Sequence, residues 1–80
     1  MPEIFRFNNI VFFFYSKDHE PVHVHIRHSG RNAIIVIDTL EVKSNNGFRA
    51  NEIRLLKEKV KEHKELIKEI WNEHFEEKEG

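Results

Sequence analysis

The residues of this chain best suited to chemistry are its histidines, since four of the six lie within Asp18–His28 (DHEPVHVHIRH). His23 and His25 form a His-x-His pair, and alternate residues of a β-strand point to the same face about 6.5–7 Å apart. Two imidazoles at this separation can bind one metal ion, and zinc and similar ions also accept carboxylates. The segment therefore predicts a site for zinc or another divalent metal, with the ligands Asp18, His19, His23 and His25.

The same histidines could instead cleave RNA without a metal. A neutral histidine beside a protonated one can act as base and acid towards a ribose 2′-hydroxyl. Arg27 falls on the same strand face and could bind the phosphate, as could Tyr15 or Arg49 from neighbouring segments. Under this hypothesis the catalytic residues are His19, His23, His25 and Arg27.

A third interpretation gives the segment no chemistry. Asp18 before a turn can accept a hydrogen bond from its own backbone, Pro21 can fix the corner, and His19 can join the loop to a strand. His23 and His25 would then be half-exposed strand residues that contact a partner protein. The spacing by itself leaves these three interpretations open.

Apolar patterning predicts that the first fifty residues form an antiparallel β-meander. In Val22–His28, valine and isoleucine alternate with histidine and arginine, as in a strand with one buried face. Ile10–Tyr15 is apolar throughout, which is typical of a strand covered on both faces. The predicted strands are Glu3–Phe7, Ile10–Tyr15, Val22–His28, Ala33–Ile37 and a short edge strand Leu40–Lys43, with turns at Asn8-Asn9, residues 29–32 and Asn45-Asn46-Gly47.

From about residue 50 the apolar period becomes helical, with apolar residues three or four positions apart up to about residue 77. One unbroken helix of this length would extend roughly 40 Å, which is longer than a small sheet is wide. Such a helix would therefore either fold back as two helices or project and pack against another chain, and we predict a bend or break at residues 62–64. His63 and His74 lie on the apolar side and are expected to be packed histidines. The predicted fold class is α+β, a meander of four to five strands packed against a C-terminal helix or bent helix pair.

The chain of 80 residues is expected to form one domain, and a domain of this size buries only roughly 60–65% of its unfolded surface. A partner or a second copy would add stability, so a homodimer is expected.

The formal net charge of −1 argues against a strongly basic DNA-binding protein. Residues 1–50 nevertheless carry six lysines and arginines against five acidic residues, so RNA stays a permitted ligand. The absence of cysteine, of a secretory signal and of a membrane-spanning run predicts a cytoplasmic protein without membrane association.

Several of these residues together resemble a small prokaryotic family, domain of unknown function 4160. The most specific part is the motif Asp18-His19-x-Pro21-x-His23-x-His25. The likeness covers nearly the whole chain, and it extends to the opening Pro2–Phe7, the apolar run ending at Tyr15, the strand from Ala33, the Glu41 region, Arg49, and a terminal helix with His63, Leu66 and Trp71. The chain departs from the family pattern at Leu40, where a glycine is usual, and at Val22, where a proline is common.

The resemblance implies a protein partner more directly than it implies a reaction. Members of this family often occur beside a second small protein in two-gene operons, in the manner of toxin–antitoxin modules. The first functional hypothesis is therefore an intracellular component of such a module, which binds a small protein encoded by a neighbouring gene. The alternative is a small ribonuclease, with or without a divalent metal, centred on the histidine motif. The sequence leaves open whether the protein is an enzyme.

Overall fold

Five antiparallel strands lie side by side in chain order, β1-β2-β3-β4-β5, and two helices follow them. The computed structural model describes residues 3–15, 18–19 and 21–79, with side chains up to residue 74, so Pro2 of the family pattern lies outside the described residues. The elements are β1 Glu3–Phe7, β2 Ile10–Phe13, β3 His23–His28, β4 Arg31–Val36, β5 Val42–Asn46, α1 Ala50–Glu62 and α2 Lys64–Glu79. The predicted α+β class is confirmed, with five strands and a pair of helices.

Two tight turns, one between β1 and β2 and one between β3 and β4, lie at residues that tolerate positive φ. Asn8 and Asn9 have φ of 48° and 68°, as expected of the asparagine pair predicted between β1 and β2. Ser29 and Gly30, with φ of 48° and 79°, connect β3 to β4. The second turn is therefore shorter than predicted, because β4 already begins at Arg31.

Cross-strand pairing gives the sheet two different faces. Phe12 of β2 lies opposite Ile26 of β3, and both side chains are completely buried. Phe13, His25 and Ile34 form the next row across β2, β3 and β4, and their side chains point the other way because strand residues alternate. We call the first face the helix side and the second the histidine side.

The helix side is covered by α1 and α2. Leu56, Val60 and Ile67 of the helices are buried in one apolar cluster with Ile37, which follows β4, and with strand residues of this face, among them Phe12, Val24, Ile26, Ala33 and Ile35. Burial of a large aliphatic side chain stabilises a fold by about 1.5–3 kcal/mol, so this cluster is the main source of stability. Within the part of the chain that the structure describes, no helix is long and apolar enough to cross a membrane.

The helical region breaks at His63, as predicted. This residue ends α1 with φ −106° and ψ 17°, and its ring nitrogen Nδ1 lies 2.8 Å from the carbonyl oxygen of Lys59. Its ring stacks on Phe5 of β1 with centroids 4.0 Å apart. His63 therefore packs where the chain changes direction, and His74 also packs, with its ring 5.3 Å from that of Phe14.

The edge strand β5 differs from the prediction. The strand Leu40–Lys43 is wrong in its bounds, because a tight turn occupies its beginning: Leu40 N donates to the carbonyl of Val36 at 2.9 Å, and Leu40 has φ of 61°. Pairing with β4 begins only at Val42 and includes Asn45 and Asn46, which had been assigned to a turn. Leucine thus occupies the left-handed conformation, which costs a non-glycine residue roughly 1–2 kcal/mol.

Candidate metal centre

The central strand β3 positions the two histidines of the motif. Val24 and Ile26 are completely buried on the helix side, so the alternating His23 and His25 point to the histidine side. β3 has a hydrogen-bonded neighbour on each side, because β2 and β4 both pair with it. Both imidazoles therefore project from a strand that is paired along both of its edges.

Asp18 reaches the same face from the segment that follows β2. Its backbone N donates to the carbonyl of Tyr15 at 3.1 Å, and its carboxylate oxygen Oδ2 accepts from Tyr15 N at 2.8 Å. These reciprocal hydrogen bonds hold Asp18 beside Tyr15. The carboxylate of Asp18 is thereby held close to β3.

The carboxylate of Asp18 meets both imidazoles. His25 Nε2 lies 3.2 Å from Oδ1 and 3.1 Å from Oδ2 of Asp18, and His23 Nε2 lies 3.4 Å from Oδ1. One ligand atom of each residue lies within 4.8 Å of the others. Among the described residues, these three form the one group of histidine and acidic side chains that converges in this way.

The hydrogen bonding of His23 directs a lone pair towards this centre. Its Nδ1 lies 2.8 Å from the carbonyl oxygen of Pro21, and because a carbonyl only accepts, Nδ1 must carry the proton. In the neutral ring, Nε2 is then an acceptor, and it faces another acceptor, Asp18 Oδ1, at 3.4 Å. Two acceptors repel unless a positive charge, either a proton or a metal ion, lies between them. A histidine that binds a metal through one ring nitrogen usually donates a hydrogen bond from its other ring N–H to a partner such as a backbone carbonyl.

Aromatic rings fix the orientation of the two imidazoles. His23 contacts Trp71 of α2 at 5.3 Å between ring centroids. His25 contacts Phe13 at 5.5 Å and Tyr15 at 4.7 Å. The side chains of the centre are only 13–16% exposed, and their electrostatic interactions are consequently stronger than in water.

The centre lies between two cavities on the histidine side. The first, of about 310 Å³, is lined by Asp18, His19 and His23 together with Lys43 of β5. The second, also of about 310 Å³, is lined by His25 with Tyr15, Arg27 and other side chains. A small molecule could therefore approach the converging atoms from either side.

The structure separates the predicted site residues into two groups. Asp18, His23 and His25 converge, whereas His19 is exposed and lines the first cavity without joining the converging group. Arg27 is exposed, and its guanidinium carbon lies 5.2 Å from the centre of the Phe13 ring. Arg49 does not belong to the converging group and is instead the N-cap residue of α1.

Two contributors went unrecognised in the sequence. Lys43 reaches the first cavity from the part of β5 where pairing with β4 is irregular, between Val42 and Ser44. Trp71 contacts His23 although its position in the apolar stripe predicted only a core residue. Neither contact has a signal in the spacing, because both residues are distant in sequence from the motif.

Comparison with known proteins identifies the family and nothing finer. A family model described as domain of unknown function (DUF4160) matches residues 9–72 of the chain, so the chain belongs to this family. No curated protein and no solved structure matches it.

Proposed function

We propose that this member of the DUF4160 family binds one divalent metal ion through Asp18, His23 and His25 and uses it to hydrolyse phosphodiester bonds in RNA. The observation that supports the proposal is the convergence of three ligand atoms within 4.8 Å, with the Nε2 lone pair of His23 directed at the carboxylate. The ion would replace the proton that otherwise has to separate these groups.

The donor set suits a catalytic ion better than a structural one. Two imidazole nitrogens and one carboxylate oxygen make three protein ligands, and catalytic zinc sites typically have three and leave a position for water. The same ligands suit manganese or iron. A bound ion of this kind lowers the pKa of its water to about 7 and so supplies hydroxide near neutral pH. The cavities on either side leave room for that water and for a substrate.

Cationic side chains around the centre favour an anionic substrate. Lys43 lines one cavity and Arg27 the other, and their positive charges attract a negatively charged chain such as RNA. In hydrolysis, the oxygen of water bonds to phosphorus, the ester P–O bond breaks, and the departing sugar oxygen takes a proton. His19, which lines the first cavity, is our candidate for the donor of that proton.

Metal binding is tested by elemental analysis and by zinc and manganese titration of the tag-free protein. Trp71 is the single tryptophan and its ring lies 5.3 Å from that of His23, so its fluorescence should report the titration. We expect one ion per chain, lost in Asp18→Asn and in His23→Ala/His25→Ala. The matched control is His28→Ala, on the same strand but outside the converging group.

The reaction is tested with a labelled RNA oligonucleotide. Cleavage should stop on addition of a chelator and return with the metal, and it should be absent in Asp18→Asn. A wild-type protein that binds no metal would contradict the proposal, provided that wild type and Asp18→Asn have the same circular dichroism and are therefore both folded. Bound metal without any cleavage would restrict it to metal binding.

A second candidate function is binding of a partner protein within an intracellular, toxin–antitoxin-like two-protein module. The observation that favours it is that β1 and β5 each have one strand neighbour among the described residues. The outer edge of such a strand can add a strand from another chain, including a second copy in a homodimer. Co-expression with the product of the adjoining gene, followed by mass determination, tests this function. A complex formed through an edge should form equally well with Asp18→Asn, whereas a complex lost in that variant would place the partner on the histidine side.

A further inference from the structure

The second cavity adjoins the metal centre through a shared residue, His25. Its ring lines the cavity, and its Nε2 belongs to the converging group. We propose that this cavity binds the base and ribose of one unpaired nucleotide, so that the substrate is single-stranded RNA with a phosphate at the ion. This inference rests on the proposed function and names the substrate of the same site.

An exposed aromatic ring forms one wall of the cavity. Tyr15 is 46% exposed, the most of any large hydrophobic residue in the described part of the chain. Its ring stands nearly at right angles to the rings of His25 (78°) and Phe13 (87°), which touch it at 4.7 and 5.3 Å. These contacts fix the orientation of the ring. An exposed tyrosine with a fixed ring is the kind of surface on which proteins that bind single strands stack a base.

Hydrogen-bond donors lie in the same cavity. Arg27 is held above Phe13 at 5.2 Å by a cation–π contact, and its register partner on β4 is Asn32. Asn32 Oδ1 already accepts from Asn46 Nδ2 at 2.9 Å, so the amide of Asn32 mainly offers its N–H donors to a ligand. Guanidinium and amide donors together complement the two carbonyl oxygens of a uracil.

The size of the cavity suits a small ligand such as one nucleotide. Its volume of about 310 Å³ is at the lower end of the roughly 300–1,000 Å³ typical of small-molecule sites. A base that enters it and stacks on Tyr15 must leave its own stack and its pairing partner. Sequence-independent binding of single-stranded RNA works in this way, because every base has a face that can stack.

Nucleotide binding is tested first without catalysis, by calorimetric titration of uridine monophosphate into the zinc-loaded protein. We expect Tyr15→Ala to weaken binding about tenfold, in line with the loss of one base–aromatic stack, and Tyr15→Phe to stay within about twofold. Arg27→Ala should weaken binding by a similar factor. Arg54→Ala, an exposed arginine on α1, is the control and should change nothing.

The substrate class is tested with one labelled RNA, alone and annealed to its complement. The single strand should be cleaved at least about tenfold faster, and Tyr15→Ala should lose most of that preference. Equal cleavage of both forms, or equal uridine monophosphate affinity in wild type, Tyr15→Ala and Arg27→Ala, overturns the inference. The two proposals can fail separately. A protein that binds metal but no nucleotide would contradict the nucleotide cavity. A protein that binds nucleotide at Tyr15 but no metal would contradict the metal centre and support the nucleotide cavity.

Discussion

The helix side and the histidine side of the sheet are made from the same strands and do different work. On the helix side, residues such as Phe12, Val24 and Ile26 are fully buried beneath α1 and α2. On the histidine side, the neighbouring His23 and His25 lie between two cavities and converge on Asp18. Because strand residues alternate, the six residues of β3 contribute both to the buried core and to the converging group of Asp18, His23 and His25.

The largest effect should come from truncating a core residue beside a ligand. Ile26→Ala removes a completely buried side chain and should lower the free energy of unfolding by about 2–5 kcal/mol, while His25→Ala should cost about 1 kcal/mol or less but abolish metal binding. Urea unfolding without metal, followed by zinc titration, measures both quantities. If Ile26→Ala does not fold, Ile26→Val should fold, cost about 0.5–1.5 kcal/mol and keep the ion. Equal losses of stability from both faces would contradict the division.

An intermediate effect is expected where the sheet joins α1. A Cβ on Gly47 (φ 106°) would lie 2.6 Å from Cγ of Arg31, whose guanidinium binds Glu52 at 3.0 Å. Gly47→Ala should therefore destabilise by about 2–3 kcal/mol, since both backbone strain and displacement of Arg31 contribute. Gly30→Ala is the matched variant, because Gly30 also has positive φ (79°) but nothing within 4 Å. Gly30→Ala should lower the free energy of unfolding by about 1 kcal/mol. Urea unfolding curves of the two variants measure the difference between them.

The smallest effect concerns the pH dependence of the same junction. A hydrogen bond from the Arg49 backbone, with the charge of Arg31, lowers the pKa of Glu52 below its usual value. A carboxylate whose folded pKa is lowered stabilises the fold above its unfolded pKa, and this contribution disappears as the pH falls through the folded value. Stability should thus decline below about pH 4.3, and less steeply in Glu52→Gln. Thermal unfolding at about pH 6 and about pH 3.5 measures the slope, with Glu58→Gln as control; identical slopes in all three proteins would remove Glu52 from this role.

A bound metal ion should stabilise the fold from the histidine side, whereas the substitutions above destabilise it. An ion that binds only the folded state stabilises it, by about 2.7 kcal/mol at a hundredfold excess over the dissociation constant. Zinc should therefore raise the melting temperature of wild type and of Ile26→Val equally, and leave Asp18→Asn unchanged. A rise in Asp18→Asn equal to that of wild type would place the ion elsewhere on the protein.

The amino-acid sequence by itself determined what depends on local conformation. Alternation in β3 predicted that His23 and His25 share a face, Asn8-Asn9 predicted a turn with positive φ, and helix length predicted the break at His63. The first two follow from preferences of a few consecutive residues, whereas the break follows from the length of the helical pattern, and all three are confirmed. The bounds of β5 were wrong because the turn at Leu40 requires a left-handed leucine, which local preference disfavours.

Only the tertiary structure decided which residues meet at the centre. The motif offered Asp18 and His19 equally, but hydrogen bonds with Tyr15 hold Asp18 beside the histidines, while His19 is exposed and lines the cavity. Lys43 and Trp71 come from distant elements, the first from the irregularly paired part of β5 and the second from α2. Spacing sets the direction of side chains within a strand, but loop geometry and long-range packing bring separate segments together, and these depend on the whole fold.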